Sequence, residues 1–92
     1  MILRFRHRGL ERLYESGSSR GLNAGHAKKI ARILADLDET VCPQDMDKPG
    51  YRLHPLKGAM SGFWSITVQA NWRITFRFDD NHTTDVDLID YH

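Results

Sequence analysis

The chain has 92 residues, 40% of them apolar, enough for one modest hydrophobic core and one domain spanning residues 1–92. No apolar run approaches bilayer length, the opening MILRFRHRG lacks the apolar core of a secretory signal, and the lone Cys42 cannot form an internal disulfide, so we expect no membrane and a reducing, cytoplasmic setting. The net charge of +1 hides an asymmetry: residues 1–35 carry eight Lys/Arg against two Glu, and residues 36–92 carry five against ten acids. The basic half suits a polyanionic or acidic partner, or it is simply a set of solvated helix faces.

In chain order, Ile2–Arg6 reads as a short strand. Leu10, Leu13 and Tyr14 in GLERLYES recur at helical spacing, and the run GSSRG ends that helix. Asn23 is a candidate N-cap for a second helix, with Ala27, Ile30, Ala31, Leu34 and Leu37 as its apolar stripe. Residues 40–50, with Pro43 and Pro49, read as a loop.

From Tyr51 the period changes to two. YRLHPLKG is a strand interrupted by Pro55, whose missing N–H confines it to an edge, a bulge or a strand end. GAMSG makes a turn, FWSITV and WRITFRF are strands joined by QAN, DDNH turns again, and TTDVDLIDYH is the last strand. Trp72, Ile74, Phe76 and Phe78 share one face of their strand, and Arg73, Thr75 and Arg77 the other.

The order β-α-α-β-β-β-β predicts an α+β fold: an antiparallel sheet with two N-terminal helices on one face. The second face is expected to remain open to water. His54, Lys57, Arg73, Asp90, Tyr91 and His92 come from strands that such a sheet can bring together.

These six residues match the needs of RNA cleavage without a metal. A base takes the ribose 2′-OH proton, an acid protonates the leaving 5′-oxygen, and cations steady the charge on phosphorus oxygens. Histidine suits the proton transfers, Arg73 planar contact with phosphate, and Lys57 a point charge. Each also has a structural reading: His54 finishes a strand before Pro55, and Arg73 occupies a solvent-facing strand position. Strand parity adds a demand. If Val86 and Leu88 face the helices, regular alternation sends Asp90 with them and Tyr91 to the opposite face, so a bend is needed for all three terminal residues to meet one substrate.

The five histidines show neither HxH nor HExxH spacing, so we expect no structural zinc and no cofactor. GLNAGHAKK lacks the Walker spacing, and no nucleophile elbow is present. Trp64 and Trp72 could stack on bases, but strand positions of this kind usually supply core.

The blocks LHPLKG, GFWSITVQANWRITFRF and DVDLIDYH, in order and at matching spacing, resemble the HigB (host inhibition of growth) branch of the RelE toxin superfamily. FRHRGLERLYESG resembles the first strand and helix of that family, so the resemblance covers nearly the whole chain. It implies a compact microbial-RNase-like fold and a type II toxin that cleaves mRNA on translating ribosomes without metal. It further implies a partner antitoxin of HigA type with a helix-turn-helix domain, and contact with operator DNA only through that complex. His54 and Lys57 match the family's LHPLKG motif, Arg73 its NWR block, and Asp90, Tyr91 and His92 its terminal acid, tyrosine and histidine. His54, Asp90, Tyr91 and His92 are thus implied as catalytic, and Lys57 and Arg73 as phosphate- and RNA-binding. Ala59 and Met60 depart from the family, which often has an acidic residue after the motif's glycine. The alternative is a non-enzymatic nucleic-acid- or protein-binding module of a repressor complex.

Overall fold

The computed structural model describes residues 1–90. Two helices, α1 (Arg8–Ser16) and α2 (Ala27–Glu39), precede four strands: β1 (His54–Pro55), β2 (Trp64–Gln69), β3 (Trp72–Asp79) and β4 (His82–Asp90). The strands form one antiparallel sheet in the order β1-β2-β3-β4.

Each helix end has a local cause. His7 is the N-cap of α1, and its side chain accepts a hydrogen bond from the Leu10 N–H. Gly17 ends the helix at φ 75°, a left-handed conformation that glycine adopts without steric cost. Asn23 does not cap α2. Its Oδ1 accepts from Gly25 N at 2.8 Å and its carbonyl from His26 N, which makes a separate turn, and α2 begins after His26. The buried stripe of α2 is Ile30, Ile33, Leu34 and Leu37. Ile33 belongs to it and Ala31 is exposed, because the helix lies on the sheet through its two bulkiest ridges.

The core is the layer between these helices and one sheet face. Leu10, Ile30, Ile33, Leu37, Ile66, Ile74, Phe76 and Val86 are all fully buried. Ile74 and Phe76 supply the inner face of β3, as the alternation in WRITFRF predicts. Met46, in a 3-10 turn within the predicted loop, is buried as well. Tyr51 then pins the chain: its hydroxyl donates to Asp36 at 2.6 Å, and its carbonyl accepts from Thr67 N at 2.7 Å.

The predicted first strand is reduced to two single-residue bridges, Ile2 with Thr83 and Phe5 with Val86, both parallel to β4. The sheet thus gains a short parallel margin at the β4 side. Pro55 sits in the two-residue strand at the opposite edge, where a missing donor does least harm.

Two bulges adjust the ladders. Thr67 pairs with Arg73 but Gln69 pairs with Trp72, leaving Val68 as the extra residue in β2. Thr75 pairs with Asp87 but Arg77 with Thr84, so Asp85 and Val86 together face Phe76. Asp85 takes the bulge's strained conformation at φ 53° and is held by Arg77, whose Nε donates to its Oδ2 at 2.6 Å. The bulge lets Thr83 and Val86 both point into the core despite odd spacing; the Thr83 hydroxyl donates there to the Leu37 carbonyl.

Candidate active site

The sheet face away from the helices is not simply open to water. The segment from Tyr51 through β1 curls over it and leaves a cleft of about 250 Å³. The cleft is lined by Arg52, His54, Leu56, Ser65, Thr67, Arg73, Thr75 and Ile89. Ser65 and Thr75 are buried beneath it, which corrects the expectation of a solvated face.

Sheet register explains the grouping. His54 pairs with Ser65, Ser65 with Thr75, and Thr67 with Arg73, so hydroxyls and cations from three strands project from one surface. Arg73 is half-buried, and its guanidinium donates to the carbonyls of Ala70 at 2.6 Å and Trp72 at 3.3 Å. These bonds hold it beside the β2–β3 turn, where Ala70 has φ 52°. Arg52 reaches the cleft from a left-handed backbone position, φ 51°, just after the anchored Tyr51.

Of the six residues singled out in the sequence, the four that are described, His54, Lys57, Arg73 and Asp90, separate. His54 and Arg73 meet in the cleft. Lys57 is exposed at the start of the Gly58–Met60 turn and does not line the cleft. Asp90 pairs with Trp72, while Ile89 pairs with Arg73. Cross-strand partners share a face, so Asp90 lies on the side of Trp72 and Leu88 at the end of β4. Tyr91 and His92 lie outside the described residues. The β4 bulge comes before Leu88, so it does not re-aim Asp90.

Sequence reasoning missed Arg52, Leu56, Ser65, Thr67 and Ile89 as cleft residues. The alternation of Ser65 and Thr67 with buried Ile66 and Val68 was the available signal for two of them. For Arg52 there was no signal, because its direction depends on a left-handed residue in a loop.

Chemically, the described lining offers two guanidiniums, one imidazole and three hydroxyls, and no carboxylate. Such a surface favours an anion, and Leu56 and Ile89 add apolar walls against which a sugar or base can rest. Among the described residues no group of three or more His, Cys, Asp or Glu is placed to hold a metal ion. Trp72 faces the helices, with its ring 6.4 Å from that of His26, and does not line the cleft. No helix among the described residues is long and apolar enough to cross a membrane.

Comparison with known proteins agrees with this architecture. The chain is similar to solved toxin structures, including the YoeB–YefM complex from Staphylococcus aureus (TM-score 0.64, 23% identity, 100% of this chain and 95% of that one). It is also similar to the YoeB/ParE toxin from Agrobacterium tumefaciens (TM-score 0.60, 23% identity, 100% and 99%). At that identity the likeness bears on the fold, which is α+β of this toxin type. A curated relative, Endoribonuclease HigB of Proteus vulgaris, is 41% identical over 92 residues and the full length of both chains. A family model described as "RelE-like toxin of type II toxin-antitoxin system HigB" matches residues 3–92. On these matches the chain belongs to the HigB-like family of RelE-like toxins of type II toxin–antitoxin systems.

Proposed function

We propose that this chain is an endoribonuclease toxin that cuts mRNA on translating ribosomes by metal-free acid–base chemistry. The observation that carries the reading is the pairing of His54 with Arg73 in one cleft whose described lining is rich in donors and lacks carboxylates. The full-length relative named Endoribonuclease HigB supports the same activity.

In the proposed reaction a base removes the proton from a ribose 2′-OH. The 2′-oxygen attacks the adjacent phosphorus, the bond from phosphorus to the 5′-oxygen breaks, and an acid returns a proton to that oxygen. The products are a 2′,3′-cyclic phosphate and a 5′-hydroxyl. His54 serves one of the two proton transfers, because an imidazole can both accept and donate a proton. Arg73 holds the scissile phosphate after exchanging its carbonyl contacts for phosphate oxygens. Lys57, exposed outside the cleft lining, attracts the neighbouring strand as a point charge. His92 is proposed as the second proton-transfer group, Asp90 as the group that orients and charge-stabilises an imidazole or acts as base, and Tyr91 as a nucleotide stacker.

The ribosome supplies a threaded mRNA strand and additional phosphates for the basic N-terminal half to contact. Membership of a toxin–antitoxin family supports an antitoxin partner, which we take to be a helix-turn-helix protein of HigA type that carries the complex to operator DNA. Incubation with programmed ribosomes tests the reading: A-site mRNA should be cut in the presence of EDTA. Loss of cutting with EDTA would exclude the metal-free route, and intact mRNA throughout would favour a non-enzymatic binding module.

A further inference from the structure

Thr75 lies at the middle of the cleft floor, between Ser65 on β2 and Asp87 on β4. It is 1% exposed, and its Oγ1 has no hydrogen-bond partner among the described residues. Buried hydroxyls are usually paired, because an unpaired one gives up its water without replacement. Thr83, the other fully buried threonine among the described residues, does have a partner in the Leu37 carbonyl. A valine at position 75 would fill nearly the same space without an unpaired hydroxyl. The hydroxyl is therefore a cost in the free protein, placed directly under the cleft.

Its neighbours indicate what would satisfy it. Arg52 and Arg73 line the same cleft as cations, and Ser65 and Thr67 add hydroxyls. Asp87, the β4 partner of Thr75, is the nearby carboxylate; it stands outside the described lining, and its Oδ1 accepts from the Leu88 N–H. Arg52 and His54, around the cleft's mouth, are exposed, so they can shift to let a ligand settle onto the floor. A phosphate oxygen is an acceptor for every donor in this set.

We infer that Thr75 is a substrate-binding residue of this cleft, donating its Oγ1–H to a phosphate oxygen of the RNA strand seated between Arg52 and Arg73. This inference rests on the nuclease reading above and adds a contact to it. Binding then replaces an unpaired buried hydroxyl with a hydrogen bond to a charged acceptor, so the contact contributes chiefly to seating the strand.

The test uses the full chain and programmed ribosomes under single-turnover conditions, with toxin concentration varied. Thr75→Val should raise the half-saturating toxin concentration by about tenfold, the size of one hydrogen bond to a charged group, with a smaller change in the limiting rate. Thr75→Ser, which keeps the hydroxyl, should restore affinity. Thermal unfolding of Thr75→Val should match or exceed wild type, which separates lost contact from lost fold. Wild-type cleavage with an unaltered Thr75→Val would overturn the assignment alone, as would a Thr75→Val defect that Thr75→Ser shares. A wild-type chain that leaves the mRNA intact would overturn the nuclease reading and the assignment with it.

Discussion

Ile89, and not Asp90, stands opposite Arg73 across the β3–β4 ladder. The cleft's half-buried arginine thus has an apolar neighbour on one side and Thr67 on the other. Asp90 pairs instead with Trp72, on the opposite face of the sheet from Arg73. This relationship separates His54 and Arg73, which share a surface, from the terminal acid, which does not line it.

The cleft residues should dominate activity. His54→Ala is expected to lower the single-turnover cleavage rate by about 10²–10⁴-fold, the usual weight of a general acid or base. Arg73→Ala should cost about 10²–10³-fold, and Arg73→Lys should recover only part of it, because an ammonium cannot make planar, two-point contact with phosphate. Circular dichroism should show all three variants folded. Equal rates for Arg73→Lys and wild type would mean that Arg73 acts as a bare charge.

The bulge in β4 is held by an ion pair. Asp85 is buried at φ 53° and bonded to Arg77, with Arg6 at 3.9 Å. Arg6 also lies over the Phe63 ring at 5.1 Å. Asp85→Ala should reduce unfolding free energy by about 1–2 kcal/mol, combining a partly exposed ion pair with left-handed backbone strain. Asp85→Gly should be less harmful than Asp85→Ala, since glycine accepts that φ. Urea titration of the two variants distinguishes backbone from charge.

Phe76 is fully buried in the core cluster and packs edge-on against Phe78, ring centroids 5.9 Å apart. Phe76→Ala should cost about 3–5 kcal/mol. In a domain whose total stability is on the order of 5–15 kcal/mol, much of the chain would then be unfolded or easily proteolysed. A urea midpoint near that of wild type would contradict the packing described.

Two tyrosines are expected to steepen the loss of stability at alkaline pH. Burial, then the hydrogen bond to Asp36, raises the Tyr51 pKa well above the ordinary phenol value. The hydrogen bond to Asp38, then burial, raises that of Tyr14. Both folded-state values exceed those of the unfolded chain, so the native state retains protons that the unfolded state releases. Their contribution is complete below about pH 10, the value for a free tyrosine, and declines as pH rises through the folded values. Tyr51→Phe should flatten the fall in stability above about pH 10, measured by urea unfolding across the alkaline range. An unchanged slope would show that another group governs that limb.

The sequence by itself determined the two layers. Period 3.6 before residue 40 and period two from Tyr51 onward follow from which side chains must leave water, and that constraint is local to each element. The inner face of β3 and the sharing of one face by Arg73 and Thr75 were legible for this reason, and Pro55 was narrowed to an edge, a bulge or a strand end. Six residues suited to RNA chemistry, and a resemblance along most of the chain, were legible too. Tertiary structure decided which of the four described ones meet. Sheet register puts His54 and Arg73 in one cleft and Asp90 beside Trp72, while Lys57 lies outside the strands and the cleft lining. It also decided that the first strand survives only as two parallel bridges, that a bulge brings Thr83 and Val86 to one face, and that Arg52 turns into the cleft. Register, bulges and left-handed loop residues depend on pairing between distant segments. The burial of Thr75 depends on the same pairing, since its strand position alone promised a solvated hydroxyl.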